Sequence, residues 1–414
     1  MNAFKEIADL IVVGGGAAGF FGAIQAAEKN PLLKIIILEK SNKILSKVRI
    51  SGGGRCNVTH HCFNAFELAH HYPRGEKQLK EIFKSFQAKD MVDWLGAKGV
   101  ALKVEPDGRM FPTSDNSQTI IDCFIKLTSQ YNIKIHTGMA VESVQQEDGD
   151  LLNVFCNNNL NYNTRKLLIT VGGNPNIQFY SWIQRLGHTI HEPLPSLFTF
   201  NDSVKQFTDL MGVAVQDAEV RIAKTKYVQR GPLLITHWGL SGPAVIKLSA
   251  WAANYLHEQK YNFTVFVSWV GHVDENEFRN TLIQLKTKKP KQKVVTNPMF
   301  GVPARLWEKL CSLAEIEPQK IWGELRQHNL NKFLEFLIRC PFQIKGKTTF
   351  KDEFVTCGGI ALNEIDLKTM ESKKIKNVFF AGEVLNIDGE TGGFNFQSAW
   401  STAYLAAKGI SNNI

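Results

Sequence analysis

Three glycines spaced as G-x-G-x-x-G, Gly14, Gly16 and Gly19, follow the apolar run Leu10 to Val13 and open an apolar helix. That spacing suits a backbone passing close to a pyrophosphate: Gly14 permits the tight turn, Gly16 the approach to the phosphates, and Gly19 close packing of helix on strand. The helix N-terminus, with Ala17 and Ala18 in its first turn, offers unpaired N–H groups and positive dipole to the anion. Beyond a second buried run, Ile35 to Leu38, Glu39 lies about 20 residues past the last glycine, where a carboxylate accepts from the hydroxyls of an adenosine ribose. The stretch Asp9 to Lys40 therefore reads as one complete strand, turn, helix and strand unit for a dinucleotide.

Three further stretches carry groups suited to the same ligand. Ser51-Gly52-Gly53-Gly54-Arg55-Cys56-Asn57 is too glycine-dense for helix or strand and predicts a loop whose amides can approach a ligand, with Lys47, Arg49 and Arg55 supplying charge for phosphate or an anionic ring. A buried run, Lys166 to Val171, ends in Thr170-Val-Gly172-Gly173, small residues where a backbone must pass the dinucleotide. Near the C-terminus, Val378 to Ala381 reads as a buried strand with Gly382-Glu383 at its carboxyl end, followed by the glycine-rich turn Gly389 to Asn395 and a helix from Phe396 to Lys408. Parallel sheets bind ligands outside the carboxyl ends of their strands, so Glu383 is expected at the middle of the ligand. The amides of Gly393, Phe394 and Asn395 are expected to aim a helix N-terminus at its far end.

The elements that must position these groups alternate in period. Residues 76–99 carry helical spacing through Leu79, Ile82, Phe83, Phe86, Met91 and Leu95; a turn is expected at Asp107-Gly108, a helix from Ser117 to Gln130 and a strand from Ile133 to Thr137. Met139 to Gln145 and Leu151 to Cys156 predict an antiparallel meander. From 187 to 269 the pattern changes to short strands, Ser196 to Phe200, Ala218 to Ile222, Gly231 to Thr236 and Tyr261 to Trp269, with a helix from Ala244 to Leu256 after His237, a histidine placed at a turn. Helical patterns then occupy Glu275 to Leu285, Pro303 to Leu313 and Gln319 to Ile338, joined by a lysine-rich loop of Lys286, Lys288, Lys289, Lys291 and Lys293. Phe342 to Thr356 returns towards the sheet.

Composition narrows the class. The 414 residues are 44% hydrophobic and 21% charged, as in an ordinary globular protein of two or three domains. No apolar run reaches the length of about 18 residues that spans a membrane, and the N-terminus lacks the basic and apolar regions of a secretory signal, so the cytoplasm is the expected location. Seven cysteines, with no C-x-x-C pair, argue against a disulfide framework, a zinc ribbon and a dithiol redox centre; no metal site is expected, and Cys56 reads as a packing residue. The net charge of +9 leaves an anionic surface or nucleic acid as a minor reading, because no aromatic residues interleave with the lysines as a stacking platform would require.

A nicotinamide dehydrogenase needs the N-terminal unit but has no use for a strand-Gly-Glu-turn-helix returning from the other end of the chain. FAD does: its ribityl hydroxyls suit a carboxylate, and a helix N-terminus near the flavin N1–O2 edge stabilises the reduced ring. The segments KVRISGGGRCNVTH, GRMFP, THWGLSGPAV, VTCGGIALNEIDLKTMESK and FFAGEVLNIDGETGGFNFQSAW together resemble a bacterial flavoprotein family that includes aminoacetone-oxidase-like and bile-acid-reductase-like proteins, over nearly the whole chain. Two departures stand out: Asn386 where the family usually has Asp, and a shorter 174–180 loop.

The resemblance implies an α/β architecture: a two-dinucleotide-binding, Rossmann-like FAD domain (1–188 and 355–414), an inserted mainly β domain (189–273 and 343–354) and a small helical subdomain (274–342). Cofactor contacts are expected from Gly14, Gly16, Ala17, Ala18, Gly19, Glu39 and Lys40, and from Lys47, Ser51, Gly52, Gly53 and Gly54. Val141, Thr170 and Gly172 are expected beside them, with Gly382, Glu383, Gly392, Gly393, Phe394, Asn395 and Phe396 at the reactive half. Arg55, as anion stabiliser, and Asn57 and Asn395, as hydrogen-bonding groups, are the catalytic candidates. The expected activity is hydride transfer between flavin N5 and a small organic substrate or NAD(P)H, the latter a transient reductant since no second G-x-G-x-x-G is present. A nucleic-acid-associated flavoprotein and a non-catalytic redox sensor remain alternatives, and the oligomeric state stays open.

Overall fold

A computed structural model describes residues 7–147, 150–348 and 355–411. The chain divides into two compact units, Met1–Pro195 with Lys351–Ile414, and Ser196–Phe350. The segment 349–354, part of the expected return to the β domain, lies outside the described residues, as do the first six.

The first unit is built on a parallel sheet. Strand β1 (Ala8–Val13) pairs in parallel with β2 (Ile35–Glu39) on one side and with the strand Asn161–Ile169 on the other. Lys134–Thr137 extends the sheet beyond β2, and Val378–Phe380 adds in parallel to Asn161–Ile169, aligning Val378 with Leu167. Leu10, Ile11 and Val12 are fully buried, the continuous apolar run expected of a strand covered on both faces. The meander Val141–Gln146 and Leu152–Cys156 attaches antiparallel to the first half of Asn161–Ile169. Helix α1 (Ala17–Lys29) buries every residue from Ala18 to Ala27, against the sheet and the C-terminal helix Phe394–Ser411. Gly22 makes this possible: a Cβ there would press on Leu168 and approach Ala403.

Within the same unit an imidazole is fully enclosed. His188 sets Nε2 against the Ser372 hydroxyl (2.8 Å) and Nδ1 against Glu364 (3.1 Å), and the other oxygen of Glu364 accepts from the Thr189 hydroxyl (2.9 Å).

The second unit is a closed six-stranded barrel in the order Thr199–Asp202, Gly239–Ser241, Val228–Ile235, Ala214–Ile222, Asn262–Ser268 and Cys340–Thr348. The helices Glu275–Lys288, Ala304–Leu313 and Gln327–Ile338 share one apolar cluster with it, Trp307 and Phe333 packing in the same core as Val265 and Phe342.

Four local expectations change. The 76–99 helix is two helices, Glu76–Ile82 and Ala88–Ala97, the second restarted by a capping box of Gln87 and Asp90. The Ser196 to Phe200 strand is replaced by Ile190–Ser196 and Thr199–Asp202, separated where Leu197 takes a left-handed φ of 58°. The lysine-rich loop begins as helix: Lys286 and Lys288 lie in the last turn of Glu275–Lys288, where cations complement the exposed carbonyls. The Gln319 to Ile338 helix starts only at Gln327, after a single 3₁₀ turn at Trp322–Glu324.

The His188 cluster gives the fold a pH dependence. Burial draws the imidazole below its ordinary value of 6.5, outweighing the opposite pull of Glu364. Burial also acts to raise Glu364, but the Thr189 N–H and hydroxyl, Lys374 and His188 together leave it below 4.5. Below pH 6.5 the unfolded histidine takes a proton that the folded one refuses, so stability is lost as pH falls towards the folded value; Glu364 adds a second loss below 4.5. His188→Gln is expected to lower the melting temperature at pH 7 and to show a shallower decline between pH 7 and 5 than wild type. Parallel melting-temperature profiles for the two proteins would contradict this.

Candidate functional site

The G-x-G-x-x-G turn has the form its spacing demands. A Cβ on Gly14 or on Gly19 would collide with backbone, the Thr170 carbonyl in the first case and the Gly14 carbonyl in the second. Thr170 closes this contact, its buried hydroxyl donating to the carbonyls of Val13 and Gly14 (both 3.0 Å). Gly16 is different: no atom lies within 4 Å of a Cβ placed there, and no side chain caps α1. The first-turn N–H groups around Ala17 and Ala18 therefore have no side-chain cap. Glu39 reaches back to this turn, accepting from the Gly15 N–H and the Ser41 N–H (both 2.8 Å), so its carboxylate is fixed at the carboxyl end of β2. Lys40 lies over the Phe179 ring (4.6 Å), and Val141 begins the meander opposite Cys156.

The glycine-dense stretch expected as a loop begins inside helix α2 (Ser46–Gly54), which leaves helical geometry at Ser51, Gly52 and Gly53. Gly52, Gly53 and Gly54 all take positive φ, and space is open beside Gly53 and Gly54. Lys47 projects from α2 to Glu383, Nζ to Oε2 at 2.6 Å, bringing together two residues expected to share one ligand. Glu383 also accepts from the Thr356 N–H (3.0 Å), and its carboxylate abuts Gly173, where a Cβ would strike it. Gly172, beside it, has φ +74° and open space. Cys56 is fully buried with its thiol pushed up to about 12 by burial, which fits packing and not redox work.

The catalytic candidates divide. Arg55 is held: Nη1 pairs with Glu105 (3.0 Å) and the guanidinium lies 4.0 Å over the Phe111 ring. Asn57 is buried, accepting from the Gly393 N–H (2.9 Å) and donating to the Thr59 carbonyl (3.2 Å). Asn395 accepts from the Gly389 N–H (2.9 Å) and donates to the Gly389 carbonyl (2.9 Å). Both asparagines thus brace the Gly389 to Asn395 turn, so their amide groups are engaged by this chain. Gly382 sits against Ala18, Gly392 is shielded by the Phe394 ring, and Phe396 stacks on Trp400 (5.6 Å).

Sequence reasoning missed the segment His71 to Gly75. Arg74 makes a paired contact with the fully buried Asp388, Nε to Oδ1 at 2.6 Å and Nη2 to Oδ2. Tyr72 donates to the Phe394 carbonyl (2.5 Å), and His71 sets Nδ1 against Glu390 (3.2 Å) while stacking on Phe394 (4.2 Å, 13°). The available signal was acidic: Asp388 and Glu390 flank Gly389 inside a turn read only for its glycines.

A cavity of about 430 Å³ on the second unit, lined by residues including Arg221, Lys224, His272 and Glu219, contains none of the expected residues. Glu219 in it is engaged by Arg221 (3.1 Å) and His272 (2.9 Å).

The open space beside Gly16, Gly53, Gly54 and Gly172, with two carboxylates fixed at strand ends, fits an extended dinucleotide with ribityl hydroxyls. The family match and a full-length relative support a flavoprotein of the FAD-dependent oxidoreductase class with a Rossmann-like domain. The chain belongs to the family described as HI0933-like protein Rossmann domain, which matches residues 8–409. It is 28% identical over 422 residues to the ribosomal RNA dihydrouridine synthase of Escherichia coli, covering 97% of this chain and 98% of that one. It is 24% identical over 407 residues to the 3-dehydro-bile acid delta(4,6)-reductase of Clostridium scindens, covering 96% and 97%. Among solved structures, 3-ketosteroid-delta4-(5alpha)-dehydrogenase from Rhodococcus jostii RHA1 shares the fold with a TM-score of 0.53 at 12% identity, over 99% of this chain and 98% of that one.

Two glycine substitutions separate fold from cofactor. Gly19→Ala is expected to destabilise by about 1–3 kcal/mol or to prevent folding, since the clash is with backbone. Gly16→Ala should change stability by less than about 1 kcal/mol, yet weaken FAD binding by roughly tenfold or more. Thermal melts and flavin fluorescence titration read the two effects; unaltered FAD affinity in Gly16→Ala would place the pyrophosphate elsewhere.

Proposed function

We propose that this protein is an FAD-dependent reductase that saturates a C=C bond conjugated to a carbonyl, and that the bond is C5=C6 of a uridine in ribosomal RNA. The observation behind the flavin half is the convergence of both chain ends on one cradle, Lys47 with Glu383 beside the glycine loops. The substrate half is supported by two relatives of matching length that bear the ribosomal RNA dihydrouridine synthase name, at 28% and 26% identity. Dihydrouridine is uridine with its C5=C6 bond saturated, and a 3-dehydro delta(4,6)-reductase acts on ring double bonds in line with a ketone; both names describe one type of reaction. The net charge of +9 and the exposed Lys288, Lys289, Lys291 and Lys293 suit a polyanion.

The expectation of a small-molecule substrate in preference to nucleic acid is supported only by the 24% relative. It stands as the second reading, an enone of steroid type.

Bound FAD supplies hydride transfer at N5. The chain's own part is placement. The α1 N-terminus and Glu39 would hold the ADP half, and Glu383, kept in register by Lys47 and the Thr356 N–H, would serve the ribityl hydroxyls. The N-terminus of Phe394–Ser411, in a turn braced by Asn57 and Asn395, would offer its dipole to the reduced ring. A reduced nicotinamide nucleotide, bound transiently, is the proposed electron source. Seven free cysteines and the absence, among the described residues, of a helix long and apolar enough to cross a membrane are consistent with work in the reducing cytoplasm.

The purified protein is expected to be yellow or to take up FAD, and to bleach anaerobically with NADH or NADPH. Unmodified ribosomal RNA transcript should then reoxidise the flavin and gain dihydrouridine, detected by mass spectrometry of nucleosides. Reoxidation by a 3-keto-4-ene steroid but not by RNA would transfer the assignment to the second reading, and a colourless protein that never gains flavin would end both.

A further inference from the structure

We propose that His71 is the proton donor of the reaction site, held for that role by Glu390 and the ring of Phe394; the inference rests on the flavin-dependent reductase reading above. Its imidazole lies against Phe394, the first residue of the C-terminal helix, with ring centres 4.2 Å apart and planes within 13°. Nδ1 is set against Oε2 of Glu390 at 3.2 Å, and the two residues are also joined through the backbone, Glu390 N–H to His71 carbonyl at 3.0 Å. Glu390 is buried at 6% exposure whereas the His71 side chain is 34% exposed. A buried carboxylate therefore grips one ring nitrogen while the other, Nε2, has no hydrogen-bond partner among the described residues.

This geometry is that of a carboxylate-oriented general acid. A carboxylate facing Nδ1–H fixes the tautomer and stabilises the imidazolium, leaving Nε2 as the end that exchanges a proton. Saturation of a C=C bond places a hydride, with its electron pair, on one carbon and a proton on the other. The electron pair comes from reduced FAD, recharged by a reduced nicotinamide nucleotide. The proton leaves Nε2 of the His71 imidazolium as the new C–H bond forms, and water returns it to the neutral ring. His60, which also lies against Phe394 (4.7 Å), is less suited because its Nε2 is already 3.1 Å from the Asp107 carbonyl. The ionisable groups around His71 are Glu390 from the turn, His60 from the strand Thr59–His60 (5.9 Å between rings), and, in its own segment, Arg74 paired with Asp388 and His70 paired with Glu76 (2.7 Å).

The test is NMR of histidine-labelled protein loaded with FAD, with the His71 signal identified by its loss in His71→Gln. Anaerobic reduction of the flavin by dithionite is expected to shift that signal. Glu390→Gln, still binding FAD, should change the nitrogen-15 tautomer signature of the His71 ring. With the acceptor that reoxidises wild type, His71→Gln should reoxidise about 10²-fold more slowly while its reduction rate is unchanged. A His71 signal indifferent to flavin loading and reduction, or equal reoxidation rates, would overturn the proposal and leave the flavoenzyme reading intact. Failure of wild type to bind FAD would remove that reading and this one together. Should His71→Gln not fold, the wild-type response to reduction and the tautomer signature in Glu390→Gln decide the matter alone.

Discussion

A buried charge pair controls the C-terminal turn of the first unit. Asp388 is completely shielded from solvent, and a carboxylate in that position is tolerable only when paired and hydrogen-bonded. Arg74 meets it with both faces of its guanidinium fork, so neither partner can be removed without stranding the other, a loss of about 3–5 kcal/mol. The pair fixes the segment His71 to Gly75 against the 387–395 turn. Gly75 takes φ +85°, and a Cβ there would also strike Ile387, so the position requires glycine. The strand Val378–Phe380 alone could not do this: its three-residue register sets where the chain leaves the sheet, but not how the following turn approaches the helix. With the ion pair in place, Tyr72 reaches the Phe394 carbonyl and the N-terminus of the last helix is held in position.

The dinucleotide half was legible because its constraints are local. Gly14, Gly16 and Gly19 do separate physical work within six positions, and the alternation of buried strand and apolar helix that surrounds them has the right period in sequence. The C-terminal turn was legible as a glycine cluster for the same reason. What could not be read was pairing across the chain. Nothing in the spacing of Arg74 says that its carboxylate lies 314 positions on, or that Asn57 and Asn395 brace a turn instead of facing a ligand. Strand ends failed in a different way. Leu197 adopts φ 58°, a conformation disfavoured for a γ-branched residue, so only tertiary context could split that strand in two.

The relatives make the limits of fold-level argument visible. A shared fold accompanies enzymes named for ribosomal RNA, for bile acids and for ketosteroids, so the fold does not specify which molecule is acted on.

Two histidine–carboxylate pairs in the same unit show why residue type alone does not assign a role. His188 with Glu364 and Ser372 has the order of a hydrolytic triad, hydroxyl, imidazole and carboxylate, at 2.8 and 3.1 Å. Its imidazole side chain has no exposed surface, and the Ser372 oxygen already accepts the N–H groups of Lys374 and Ile375 (both 3.0 Å), as a turn-closing hydroxyl does. A nucleophile so placed has neither a path for substrate nor a free lone pair, and burial keeps the imidazole neutral where a proton carrier must charge. His71 with Glu390 differs in the ring: the imidazole side chain is 34% exposed, and its Nε2 has no hydrogen-bond partner among the described residues. The same two side chains thus brace a fold when the ring is enclosed and can move a proton when the ring is open.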